Sequence, residues 1–165
     1  MPKLKNITPC LWFDNRAEEA ATFYCGIFSN SKITGTTHYS EAGKEIHGMR
    51  AGTVLTVDIE LDGHPFTVMN GGPLFKFSEA ISFQVNCDTQ ADVDYFWTRL
   101  LEDTPADNGQ CGWLKDKFGV SWQVVPTMLP QVLFGPDKAG RERAMNAMLK
   151  MQKLDIAKLQ EAYNG

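Results

Sequence analysis

The apolar positions of this chain alternate between two periods, and the same succession of periods occurs twice. Residues 10–28, CLWFDNRAEEAATFYCGIF, begin as a short apolar strand and pass into a helix with the stripe Ala20, Phe23, Tyr24, Ile27 and Phe28. Residues 83–101, FQVNCDTQADVDYFWTRLL, repeat this with Val93, Phe96, Trp97, Leu100 and Leu101. Spacing of i, i+3, i+4, i+7 and i+8 buries one face of a helix. Each member of the second stripe lies 73 residues beyond its counterpart, and one offset shared by strand and stripe points to an internal duplication.

The segments after each helix also match in kind. KITGTTHYS, TVLTVDIELDG and HPFTVMNGG predict three strands, with EAGKEIHGMRAG as a loop and Asp62-Gly63 as a hairpin turn. After the second helix, TPADNG punctuates the chain and CGWLKDK and FGVSWQVVP predict strands, with a further strand compressed around residues 106–110. Each half therefore reads β-α-β-β-β, the second trimmed. From Thr127 the period is helical: Ala144, Met145, Met148 and Leu149, then Ile156, Leu159 and Tyr163, predict two or three closing helices with Asp155 as an N-cap. The expected organisation is a first module over 1–75, a second over 76–126 and a helical segment over 127–165 that packs on the modules or on a dimer partner. The methionines of that segment are expected in its core or in a dimer contact rather than in a binding groove.

Strand parity assigns faces. In AISFQVNCD, Ile81, Phe83, Val85 and Cys87 fall on the side beneath the helix, and Ser82, Gln84 and Asn86 on the other. Transferred by 73 residues, Cys10 and Trp12 take the helix side of the first strand and Pro9, Leu11 and Phe13 the opposite one. Gln123 interrupts an otherwise apolar strand, and a buried amide without a partner costs roughly 1–3 kcal/mol. Trp113 and Lys115 share one face of GWLKDK, a pairing suited to a planar or anionic ligand. The helix-free faces of the two sheets are expected to enclose a mixed polar and apolar cavity.

Composition narrows the function classes. The chain has 165 residues, 43% hydrophobic and 22% charged, enough for one substantial core or two small modules sharing one. Its formal net charge is -4 with both signs interspersed, so nucleic acid is not an expected partner. MPKLKNITPCLWFD has no apolar leader segment, and no run reaches the roughly 20 apolar residues of a membrane span, so a cytoplasmic location without membrane partners is expected. Cys10, Cys25, Cys87 and Cys111 form no CxxC pair and are expected to be reduced, with Cys111 the one to examine for reactivity. His38, His47 and His64 lack the i, i+4 spacing of helical metal ligands; His47 with Glu41 or Glu45 is a candidate general base. Asp58 and Glu60 read as the solvated face of a half-buried strand rather than a catalytic carboxylate pair. NGG at 70–72 runs into Pro73 and reads as a turn, not as a nucleotide-binding loop.

TPCLWFDNRAEEAATFYCGIF, GHPFTVMNGG, ISFQVNCDT and CGWLKDKFGVSWQVVP together resemble the vicinal oxygen chelate superfamily of glyoxalase I, bleomycin-resistance proteins and extradiol dioxygenases. Within it they are similar to the PhnB-like branch, whose domain label is 3-demethylubiquinone-9 3-methyltransferase. The resemblance covers nearly all of residues 5–126. It implies an α+β, glyoxalase-like fold of two βαβββ modules forming a cupped, mixed and mostly antiparallel sheet, usually within a homodimer. It also implies metal positions at Pro9 and Ser82, or Ala80 with a slipped register, and at Thr67 and Gln123. Of these, Gln123 alone is a ligand type, and a weak one. The expectation is thus a metal-free protein, needing no cofactor, that binds a small organic molecule through Leu11, Phe13, Thr67, Ser82, Gln84, Trp113, Lys115 and Gln123. The alternatives are a metal-dependent lyase or dioxygenase and a methyltransferase of the kind named by the label.

Overall fold

In the first module, strand β1 (Cys10–Phe13) leads into helix α1 (Ala17–Ile27), followed by β2 (Lys32–His38), a one-turn helix α2 (Lys44–His47), β3 (Val54–Leu61) and β4 (His64–Asn70). A computed structural model describes residues 7–105 and 109–165 of the chain, which divides into two units meeting between Lys76 and Phe77. The first sheet has the order β1-β4-β3-β2, with β1 parallel to β4 and the other pairs antiparallel. Asp62 and Gly63 join β3 to β4 with φ of 47° and 75°. Two consecutive positive φ values match the right-handed twist of a tight hairpin, which Asp-Gly tolerates.

The second unit repeats the scheme with β5 (Phe83–Cys87), α3 (Gln90–Leu100), β6 (Gly109–Gln110), β7 (Trp113–Lys115) and β8 (Ser121–Pro126) in the order β5-β8-β7-β6. The duplicated βαβββ pattern and the α+β class are therefore what the chain forms. The trimming falls on β6, two residues long against seven in β2. The rest of the strand expected around 106–110 lies outside the described residues. Three helices follow, α4 (Leu129–Leu133), α5 (Lys138–Met148) and α6 (Ile156–Asn164), around a core of Val132, Ala144, Leu154 and Leu159. Met128, Met148 and Met151 pack on that core. Asp155 caps α6 by accepting from the Lys158 amide at 3.0 Å. The segment is tied to the second sheet, since the Cys111 and Gly112 amides donate to the Met151 and Gln152 carbonyls, each at 2.8 Å.

The two helices start differently. Thr89 and Asp92 form a reciprocal capping box on α3. Arg16, the residue before α1, gives no side-chain cap. Asn70, at the end of β4, does that work instead: its Oδ1 accepts from the Ala17 amide at 2.8 Å and its Nδ2 donates to Glu18 Oε2 at 2.7 Å and the Val54 carbonyl at 3.1 Å. At 4% exposure its amide needs those partners.

The facing of the first strand differs from the expectation. Leu11 and Phe13 are 7% and 3% exposed and join Val57, Ile59, Leu61 and Val68 beneath Ala17, Ala20, Ala21, Tyr24 and Ile27 of α1. Cys10 and Trp12 occupy the helix-free face with Thr67 and Met69, their register partners on β4. The reason is one residue. Three residues, 14–16, separate β1 from α1, whereas only 88 and 89 separate β5 from α3. The helices are thus 73 residues apart, but Phe13 and Cys87, the last helix-facing residues of their strands, are 74 apart. A single-residue slip sends every side chain of a strand to the other face. Asn15, in the longer connection, has φ of 57°, a conformation asparagine accepts more readily than most residues.

Candidate functional site

In the second unit, β8 pairs in parallel with β5 and antiparallel with β7, so the side chains opposite one another can be read from the register. Gln84 and Trp113 flank Gln123 on either side, and Lys115 lies opposite Ser121. These five residues share the helix-free face. Trp122, Val124 and Leu114 point the other way, each 3% exposed or less, against Val93 and Leu100 of α3. Parity therefore placed Gln84, Trp113, Lys115 and Gln123 together. Ser82 joins them from just before β5, its Oγ accepting from Gln123 Nε2 at 2.8 Å. That bond gives the amide a partner within an otherwise apolar strand. Gln84 Nε2 donates to Asn86 Oδ1 at 2.8 Å along the same face.

The hairpin carrying Trp113, Lys115 and Ser121 is held by a carboxylate. Asp116, 3% exposed, accepts from the Phe118 and Val120 amides through Oδ1 at 2.9 and 3.0 Å, and from Trp122 Nε1 through Oδ2 at 2.8 Å. Gly119 takes the positive φ, 87°, that closes the turn. Beside the hairpin lies a pocket of about 450 Å³, lined by Glu79, Gly109, Gln110, Trp113, Leu114, Lys115 and Ser121. Lys115 Nζ forms an ion pair with Glu79. Glu79, Gln110 and Ser121 were missed by the sequence reasoning. Parity with Gln123 was a signal for Ser121; nothing local marks Glu79, which lies in the irregular segment before β5.

The helix-free face of the first unit is differently furnished. Thr67 is on it, and its Oγ1 donates to Asp58 Oδ1 at 2.7 Å. Cys10 sits opposite Thr67, its thiol pushed above the ordinary value first by burial and then by the Asp58 charge. Trp12 Nε1 donates to the Gly72 carbonyl at 2.8 Å, and its ring meets Phe75 edge-on at 5.0 Å. Leu11 and Phe13, predicted for the cavity wall, are instead core residues of this unit.

These donors do not fit a divalent metal. The first unit's face offers Asp58, already bound by Thr67, Glu60, paired with Lys32, and the Cys10 thiol; the second's offers amides, hydroxyls and Glu79, paired with Lys115, so neither gathers the several uncommitted anionic or imidazole donors such ions take. Among the described residues no group of three His, Cys, Asp or Glu side chains is placed to hold a metal ion. His47 is also engaged. Its Nδ1 accepts from the Met49 amide at 3.0 Å, so Nε2 carries the proton and faces the Ala42 carbonyl at 3.2 Å, while Glu41 pairs with Lys44 at 3.2 Å. The lone pair a general base needs is thus occupied by backbone. All four cysteines are free, and no helix among the described residues is long and apolar enough to cross a membrane.

The family model described as 3-demethylubiquinone-9 3-methyltransferase matches residues 5–125. The chain is similar to the PhnB protein of Bacillus cereus at 32% identity and a TM-score of 0.63, over 74% of this chain and 100% of that one. It is more distantly similar to a lactoylglutathione lyase from Agrobacterium tumefaciens, at 15% identity and a TM-score of 0.45 over 78% and 98% of the two chains. A glyoxylase/bleomycin resistance protein/dioxygenase domain from Frankia sp. stands at 16% and 0.43 over 75% and 93%. No curated protein matches the chain.

Proposed function

The chain belongs to the 3-demethylubiquinone-9 3-methyltransferase family, and from that premise we propose that it is a metal-free protein that binds a small organic molecule on the helix-free face of its second sheet. The observation that carries this is the row Gln84, Gln123, Trp113, brought side by side by strand register and flanked by Lys115 and Ser121. Such a row combines amide hydrogen bonding, an aromatic platform and one positive charge, the few convergent polar groups on an apolar base that small-molecule sites use. Support for the metal-free reading is the donor chemistry: Gln123 is fixed by Ser82, and the Thr67 hydroxyl is committed to Asp58. Free cysteines fit a reducing cytoplasmic compartment, and resemblance to the family supports a homodimer.

A fragment screen followed by NMR on the full chain tests this reading. Fragments are expected to shift the Gln84 and Gln123 side-chain amides together with the Trp113 indole, and Gln123→Ala to weaken them about tenfold. A screen in which no fragment moves these signals would overturn it. Stoichiometric divalent metal in protein purified without chelators, with a thermal stabilisation lost in Gln123→Ala, would overturn the metal-free part.

Methyl transfer is a second reading, favoured by the family's description. The geometry lends it little: Gly71 and Gly72 lead into an irregular segment rather than a helix N-terminus, and an added Cβ on Gly71 would run into the Trp12 ring. Calorimetry with S-adenosylmethionine that gives no heat would remove it.

A further inference from the structure

Ser121 opens β8 at 2% exposure, and its Oγ has no hydrogen-bond partner among the described residues. A buried hydroxyl left unpaired is uncommon and costly, because its water partners are lost and nothing replaces them. Ser121 is the register partner of Lys115, and both line the pocket shared with Trp113, Gln110 and Glu79. The occupant of the Lys115 ammonium is already a carboxylate, that of Glu79, whose side chain is 65% exposed. Resting on the reading of this face as the ligand site, we propose that its ligands are small aromatic carboxylates. The carboxylate is held by Lys115 Nζ and Ser121 Oγ, the ring lies on Trp113, and Glu79 is the internal carboxylate that the ligand displaces.

Three features converge on this class. Lys115 holds the Glu79 carboxyl below its ordinary range, chiefly through their hydrogen bond, so the position stabilises a carboxylate anion. An ion pair so exposed contributes little to stability, and exchanging Glu79 for a ligand costs correspondingly little. An ionised carboxylate only accepts hydrogen bonds, at several lone-pair sites, so one group satisfies both the ammonium and the Ser121 hydroxyl. Trp113, 40% exposed, stands two strand residues from Lys115, about 7 Å along the sheet, within reach of a ring joined to that carboxylate. With one ammonium in the pocket, a monoanion is matched better than a phosphate dianion.

Calorimetry on the full chain with phenylacetate, and with phenylacetamide as the neutral isostere, tests the proposal. Phenylacetate is expected to bind at least about tenfold more tightly than the amide. Glu79→Gln is expected to tighten phenylacetate severalfold and leave the amide unchanged. Ser121→Ala is expected to weaken phenylacetate about tenfold without lowering the melting temperature, which separates loss of binding from loss of fold. Equal binding of acid and amide, no effect of Glu79→Gln, or no binding of phenylacetate would each overturn the carboxylate inference. If neutral fragments still shift Gln123 and Trp113, the small-molecule reading stands alone; if nothing does, both fail.

Discussion

Replacing Asp116 by alanine removes the acceptor of three N–H groups at once. Two are backbone amides of the β7–β8 turn, Phe118 and Val120, and the third is the buried Trp122 indole. A donor stranded in the interior costs about 1–3 kcal/mol. The sum is offset because burying the carboxylate was itself unfavourable and because water reaches the partly buried Phe118 amide. A net loss of about 3 kcal/mol remains, or roughly 6–12 °C in melting temperature for a chain of this size. Asp116→Asn keeps one oxygen for the two amides but, in that orientation, sets an N–H2 group against the Trp122 indole N–H. Its cost therefore depends on Trp122, and a double-mutant cycle with Trp122→Phe is expected to show coupling of about 1 kcal/mol or more. Denaturant unfolding of the four proteins measures it. A loss below about 0.5 kcal/mol for Asp116→Ala, or additivity in the cycle, would refute the anchoring role given to this carboxylate.

Other consequences are open to direct measurement. Gly71→Ala drives a Cβ into the Trp12 ring, displacing it from the Gly72 carbonyl and Phe75; a loss of about 1–3 kcal/mol is expected by denaturant unfolding, and an unchanged midpoint contradicts the close approach. The Cys87 thiol is pushed up to about 11, by burial first and then by Asp92 and Asp88. At mildly alkaline pH it is expected to resist iodoacetamide in the folded protein, and mass spectrometry showing it labelled as fast as in denaturant argues otherwise. Asp155 is held below its ordinary value chiefly by the Lys158 amide it caps. A depressed carboxyl contributes stability that is complete above the unfolded value, near 4, and is lost as pH falls through the folded one. The α6 amides are expected to exchange faster as the pH drops through that range; Asp155→Ala should cost about 1 kcal/mol and flatten the acid dependence.

Much of the candidate site was legible because alternation within one strand is a local property. Trp113 with Lys115, and Gln123 against Trp122 and Val124, needed no knowledge of the rest of the molecule. Ser82 was reached through parity, but its bond to Gln123 joins residues 41 apart. Asn70 read as part of a turn, and only the close of β4 against α1 makes it the cap for that helix. Likewise the Asp116 side chain finds its three donors only after the hairpin has closed, and the Glu79–Lys115 pair joins an irregular segment to a strand.

The sequence by itself determined the two βαβββ modules, the helix stripes, the Asp62-Gly63 hairpin and the closing helices, because periods of 2 and 3.6 and the turn preferences of single residues are written within a few positions. Tertiary structure alone decided which way β1 faces. Duplication transferred the strand with the helix at one offset, but a connection one residue longer, with Asn15 in a left-handed conformation, moved Leu11 and Phe13 into the core and brought Cys10 and Trp12 to the open face. Facing is a binary property that flips with every inserted residue. It is set by the burial of a whole face against α1, and no local pattern in four residues carries that.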